Sequence, residues 1–135
     1  MTANRDALLH AIHNWNAGDL DAYLDLYDDS IQLHGYSEKP MSKGEVRVFY
    51  RGLWDALSNV KLEVHQVLED GDRVAVQATM TATHTGELNG VAATGNAVAQ
   101  PVMTILRFND NAKVVERWSV ADMMPVLIQI GAIPG

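Results

Sequence analysis

Asp122 and His84 are the residues whose types and surroundings point most directly to proton chemistry. Asp122 follows Trp118 and Val120 at intervals of two, so a regular strand would carry its carboxylate along one apolar face. Desolvation at such an edge raises a carboxyl pKa toward neutrality, which suits a general acid–base group. The same aspartate directly precedes an apolar helical run from Met123, where it can serve as the helix cap. The two roles are compatible, and both stay open. His84 closes an apolar strand face in Thr83-His84-Thr85-Gly86, where it can pass a proton or hold a substrate oxygen. A buried, hydrogen-bonded structural histidine is the other reading. His34 and His65 carry the same ambiguity, whereas His10 and His13 lie on a first helix and look toward solvent.

Other chemistries find no support. The chain has no cysteine and no HxxxH, HxH or HExxH pattern, so neither a thiol nucleophile nor a metal site is expected. Phosphate-cradling GxGxxG and GxxxxGK[ST] loops and a GxSxG nucleophile turn are missing too, and no cofactor is expected. Seventeen acidic against ten basic residues give a net charge of −7. That balance opposes nucleic acid and anionic membranes, which are bound through lysine and arginine. The most apolar tract, Val120 to Pro134, is interrupted by Asp122, Pro125 and Gln129 and is shorter than the roughly 20 residues of a membrane span. Met1 to Asp6 leads into an amphipathic pattern without an apolar signal core, so a cytoplasmic protein is expected.

The elements that must position these residues follow from periodicity. At 135 residues the chain is one domain, 1–135. Leu8, Leu9, Ile12 and Trp15 recur at helical spacing up to Gly18. Asp19 can cap a second short helix with Leu20, Tyr23, Leu24 and Tyr27 on its apolar face, and Ile31 to His34 is a short strand. Ser42 with Glu45 forms a capping box opening a third helix through Leu57. Strands are expected over Lys61–Leu68, Val74–His84, Val98–Phe108 and Lys113–Val120, with a turn at Glu69-Asp70-Gly71-Asp72. Pro101 suggests a bulge or an edge position in the third of these. Val74, Val76, Ala78, Met80, Ala82 and His84 share one strand face. A last helix, Asp122 to Ile130, is apolar nearly all round, and is either buried in part by a second subunit or lines a pocket. Helices and strands that do not alternate imply an α+β fold, a curved antiparallel sheet covered by helices with a cavity between.

Two stretches carry a resemblance. One is Thr83-His84-Thr85-Gly86 through Gly90 to Thr94-Gly95; the other is the pattern Glu116-x-Trp118-x-x-x-Asp122, followed by Ile130-Gly131-Ala132-Ile133-Pro134. Together they resemble the SnoaL-like polyketide cyclases (ester cyclases) of the nuclear-transport-factor-2-like superfamily, over nearly the whole chain. The resemblance implies a cone-shaped α+β barrel with a deep apolar pocket, in dimers or higher oligomers. It also implies cofactor-free ring closure by intramolecular aldol condensation, with the acid–base aspartate at Asp122. Where the family carries a histidine or aspartate on the strand before the final hairpin, this chain has Thr104, which can donate a hydrogen bond but not shuttle protons. His84 is then the candidate second group.

The expected function is thus cofactor-independent acid–base catalysis on a hydrophobic, polyketide-like carbonyl compound. Asp122 and His84 are the expected catalytic residues, and Thr104, His34, Trp118, Tyr27 and Met80 the substrate contacts. One alternative is ketosteroid-isomerase-like proton transfer, with Tyr23 or Tyr27 as oxyanion donor. Another is a module that holds an apolar metabolite without turning it over.

Overall fold

The computed structural model describes residues 2–135. Helix α1, Thr2–Asn16, buries Leu8, Ala11, Ile12 and Trp15, the stripe its spacing demands. Helix α2, Leu20–Leu24, is capped by Asp19, whose carboxylate accepts from the Ala22 N–H. Strand β1, Tyr27–His34, starts four residues before the expected Ile31. Tyr27 belongs to the sheet because it is paired with Val114, so tertiary pairing overrides the helical spacing Tyr23–Tyr27. Helix α3, Lys43–Ala56, opens with the Ser42–Glu45 capping box in full.

Strands β2 (Leu57–Asp70), β3 (Arg73–His84), β4 (Ala97–Phe108) and β5 (Val114–Ala121) follow, then the short helix α4, Met124–Gln129. The sheet order is β1-β5-β4-β3-β2, with β1 parallel to β5 and every other pair antiparallel. Two register shifts in the β2–β3 pair bend this α+β sheet into its curved form. Burial along β3 alternates without a break, and Val74, Val76, Ala78, Met80, Ala82 and His84 face the helices.

Pro101 departs from expectation. It stands in β4, a central strand, opposite Thr79 and without a bulge. Its missing N–H costs nothing because the β5 ladder ends at Ala121; only its carbonyl is used, by the Asp122 N–H. Helix α4 departs too. Only Val126 is buried within it, while Met124 and Ile128 are exposed.

The larger departure is in β5. Arg107 pairs with Glu116 but Phe108 with Val114, so Val115 is an extra residue. One extra residue turns every later side chain to the opposite face. Val114 is therefore inward, and beyond the bulge Arg117 and Ser119 point in, opposite Leu106 and Thr104. Trp118 and Val120, expected on the core face, point out.

Candidate active site

All four tyrosines of the chain meet around Arg117. Tyr23 comes from α2, Tyr27 from the first residue of β1, Tyr50 from the buried stripe of α3, and Tyr36 from the loop after β1. Their hydroxyls form a chain: Tyr23 to Tyr27 at 2.9 Å, Tyr27 to Tyr50 at 2.9 Å, and Tyr50 to Tyr36 at 2.7 Å. Arg117 Nη1 donates to the Tyr27 and Tyr23 oxygens at 2.6 and 2.7 Å. Its Nε donates to Ser119 Oγ at 2.9 Å and its Nη2 to Thr104 Oγ1 at 3.3 Å. The guanidinium carbon also lies 5.9 Å from the centre of the Tyr36 ring. Behind the cluster, Trp15 packs edge-on against Tyr23, Tyr50 and Trp54.

The electrostatics of this cluster are unusual. Among the described residues no carboxylate pairs with Arg117, although the side chain is largely enclosed. Burial works against its charge, but the surrounding tyrosine oxygens outweigh burial and hold its pKa above the usual arginine range. Burial, partly offset by Arg117, pushes the Tyr27 and Tyr50 hydroxyls well above the ordinary tyrosine range. At neutral pH the site is therefore a cation among neutral phenols. Proton counting shows what is left for a ligand. Four of the five guanidinium N–H groups are used, leaving one on Nη2; three hydroxyl contacts use three of the four phenol protons. Such a site can hold a negatively charged oxygen with charge-assisted bonds.

The residues singled out in the sequence scatter around this centre. Tyr27 and Thr104 belong to it. Met80 is buried on the same inner face, opposite Gln100. His84 is on that face too, fully buried, with Nδ1 bound to Thr94. His34 and Trp118 are on the outer face, stacked at 5.6 Å, with His34 Nε2 2.7 Å from Glu116. They line a concavity of about 500 Å3 there, together with Gln77, Met103 and Val120.

Asp122 is exposed, one residue before the Met123 N-cap of α4; Oδ1 accepts from the Met124 N–H at 3.0 Å, a turn leading into the helix, and the expected desolvated apolar edge is not there. Its own N–H donates to the Pro101 carbonyl; Asp122 is exposed whereas His84 is fully buried, and among the described residues no hydrogen bond joins the two. Arg117 was missed because a bulge leaves no trace in a single sequence. The available signal was an arginine inside an otherwise β-forming, half-apolar strand.

Comparison with known proteins follows the same fold. AclR, a proposed hydroxylase from Streptomyces galilaeus, is 33% identical over 99% of both chains, with a TM-score of 0.92. A proposed SnoaL-like polyketide cyclase from Jannaschia sp. CCS1 is 25% identical over 98% of this chain and 94% of that one, with a TM-score of 0.85. IdmH, a proposed polyketide cyclase from Streptomyces antibioticus, shares the fold at 23% identity and a TM-score of 0.83, over 95% of this chain and 98% of its own. No curated protein matches the chain. The family model for SnoaL-like polyketide cyclases matches residues 5–130. The chain belongs to the SnoaL-like polyketide cyclase family.

Proposed function

We propose that this enzyme closes a ring in a hydrophobic, polyketide-like carbonyl substrate, without a cofactor, by stabilising the substrate's enolate at Arg117. The observation that carries this reading is a guanidinium on the inner face bonded only to neutral oxygens of Tyr23, Tyr27, Thr104 and Ser119. A cation enclosed without a counter-ion is costly, and an anionic oxygen arriving from the substrate relieves that cost. In an aldol closure, a methylene between carbonyls loses a proton, and the resulting carbanion forms a carbon–carbon bond to a second carbonyl of the same molecule. The negative charge moves from the first oxygen to the second, and fixed donors serve both. Asp122 is the proton acceptor in this proposal, at the exposed end of the strand that carries Arg117.

The experiment is single-turnover conversion of a polyketide methyl ester bearing an unclosed 1,3-dicarbonyl arm, with wild type and Arg117→Met. Loss of one oxyanion donor typically costs about 100- to 1,000-fold in rate, and that is the expected deficit. Equal rates in the two proteins would sink the proposal. Hydroxylation of the same kind of substrate by dioxygen, with an external electron donor reducing the second oxygen atom to water, is the second reading, favoured by the 33% identity to AclR. The mass of the product separates the two, because hydroxylation adds an oxygen atom and ring closure does not.

We further propose that the protein works as a homodimer joined through the outer sheet face. Leu68, Met103 and Val120 stand on that face 64%, 59% and 74% exposed, beside the apolar concavity. A contiguous apolar surface of this kind marks an interaction site.

A further inference from the structure

We infer that the concavity on the outer face of the sheet is a second ligand site, in which His34 Nδ1 accepts a hydrogen bond from the hydroxyl of a planar, apolar phenol or enol. The site is separate from Arg117 and needs neither the enolate reading nor the dimer proposed above.

Strand register builds the hollow. Leu68, Ala75, Ile105, Trp118 and His34 stand opposite one another in a single row across all five strands, from β2 to β1. Ala75 is the smallest of the row, and bulkier neighbours flank it. In the adjoining row Gln66, Gln77, Met103 and Val120 are opposite one another. These side chains line about 500 Å3, within the range of about 300–1,000 Å3 typical of small-molecule sites. The Trp118 ring is fixed by two neighbours. His34 stacks on it with centres 5.6 Å and planes 14° apart, and the Arg73 guanidinium lies 5.3 Å from its centre. A fixed aromatic wall suits a flat ligand. A concave patch is not complementary to its own copy, so a second chain seated across a two-fold axis would enclose the hollow rather than fill it.

The polar end of the hollow selects the ligand. His34 Nε2 is 2.7 Å from Glu116 Oε2, and Arg107 Nη2 donates to Glu116 Oε1 at 3.0 Å. The bonds from His34 and Arg107 hold the Glu116 carboxyl below the usual carboxylate range. An ionised carboxylate only accepts, so an imidazole proton is on Nε2, and the neutral ring keeps a lone pair on Nδ1. Among the described residues nothing bonds to that nitrogen. His34 lines the concavity and Glu116 does not, so the acceptor belongs to the hollow while the carboxylate that orients it stands outside. Glu116 is thus a positioning residue. Gln66 and Gln77 bond to each other at 2.7 Å on β2 and β3, at the far side of the sheet from His34. Apart from His34 no ionisable side chain lines the hollow, so it offers an anion no permanent counter-charge. An apolar frame with one proton to give is the ligand that such a lining accepts.

The test follows the indole N–H signals of Trp118, on the outer face, and of Trp15 and Trp54, in the helices, with Trp118→Phe to assign the first. 2-Naphthol carries a hydroxyl on a planar apolar frame. 2-Methoxynaphthalene keeps the frame and has no proton to give, and 2-naphthoate is an anion, the probe for Arg117. 2-Naphthol should move the Trp118 signal and leave Trp15 and Trp54 in place. 2-Methoxynaphthalene should bind about tenfold more weakly, the effect of one hydrogen bond, and 2-naphthoate should leave Trp118 unmoved. In His34→Phe, which keeps a ring against Trp118 and removes the acceptor, the two neutral probes should bind alike. Equal binding of both by wild type, a preference that survives in His34→Phe, or a Trp118 signal that answers to naphthoate as strongly as to naphthol overturns the inference. So does a Trp118 signal that shifts with protein concentration and not with any probe, since a second copy then fills the hollow. Imidazole 15N spectra need no probe: the neutral His34 ring should be protonated on Nε2, and Glu116→Gln should let the Nδ1 form appear. Protonation on Nδ1 in wild type, or spectra indifferent to Glu116→Gln, overturn it.

Discussion

Arg117 Nη1 lies 2.6 Å from the Tyr27 hydroxyl oxygen, a bond that ties the middle of β5 to the first residue of β1. The two strands run parallel there, with Tyr27 opposite Val114, three residues before Arg117. The contact exists because the Val115 bulge turns Arg117 inward and because Tyr27 opens a strand rather than closing a helix. Tyr27 then passes its hydrogen bonding on to Tyr23 and Tyr50, so one guanidinium organises side chains from three helices and strands.

Two of these phenols, Tyr27 and Tyr50, should therefore titrate abnormally. With only four tyrosines in the chain, phenolate absorbance reads this cluster alone. Tyr27 and Tyr50 are held above the ordinary range, chiefly by burial. A raised folded-state pKa contributes stability that is fully present below the unfolded value, about 10, and lost as pH rises through the folded value. Alkaline titration should show part of the tyrosine absorbance appearing late and together with unfolding. Arg117→Met should move that late component to still higher pH, since the cation favours both phenolates. Complete ionisation of Tyr27 and Tyr50 near pH ~10 in a folded protein would contradict the cluster.

Much of this was legible beforehand, for identifiable reasons. The Asp19 cap, the Ser42–Glu45 box and the unbroken alternation of β3 are local signals, and each has its expected structure. Met80 follows from alternation on a regular strand and Thr104 from the family resemblance, and both face inward. The parity of β5 was not legible, because a bulge is settled by pairing with β4 and not by β5's own residues. Trp118 was expected inward through that same parity error; His34, at the end of β1, stands outward beside it. The tyrosines read as core, which Tyr23, Tyr27 and Tyr50 are, with Tyr36 half-buried against them; their hydroxyl network depends on several elements converging, and no single stretch encodes it.

Gly35 should prove irreplaceable next to this cluster. Its φ is +96°, and a Cβ there would overlap the Ser119 carbonyl oxygen, which is backbone and cannot yield. Gly35→Ala should cost on the order of 2 kcal/mol or more, by strain at the left-handed position and by displacement of the loop. Since Tyr36 is the next residue, chemical denaturation should report the lost stability and phenolate titration a disturbed cluster. Unchanged behaviour in both would mean that the loop does not set the position of Tyr36.

Dimerisation through the outer face can be tested without a substrate. A standard interface buries about 800 Å2 on each partner, and the Leu68–Met103–Val120 face is the apolar surface to supply it. Sedimentation at micromolar concentration should give the mass of two chains, and Val120→Arg should give that of one with the fold intact. A stable wild-type monomer rules the dimer out.

Asp122→Asn is the variant that decides what the exposed carboxylate does. Asparagine is nearly isosteric, and its side-chain oxygen can still accept from the Met124 N–H, so melting should barely change. Asp122→Ala would confuse the outcome, because it removes the carboxylate together with a cap worth about 1 kcal/mol. If Asp122 takes the substrate proton, the asparagine variant should lose about 100- to 10,000-fold in turnover, the range for one general acid–base group. Its binding of 2-naphthoate at Arg117 should be intact, since Arg117 makes no bond to it. Arg117→Met should show the opposite pattern, losing the probe first and turnover with it. An asparagine variant that turns over at the wild-type rate and melts normally would reduce Asp122 to the turn that leads into α4. The proton acceptor would then have to be sought among the other ionisable side chains of the inner face, the four phenols and His84 among the described residues.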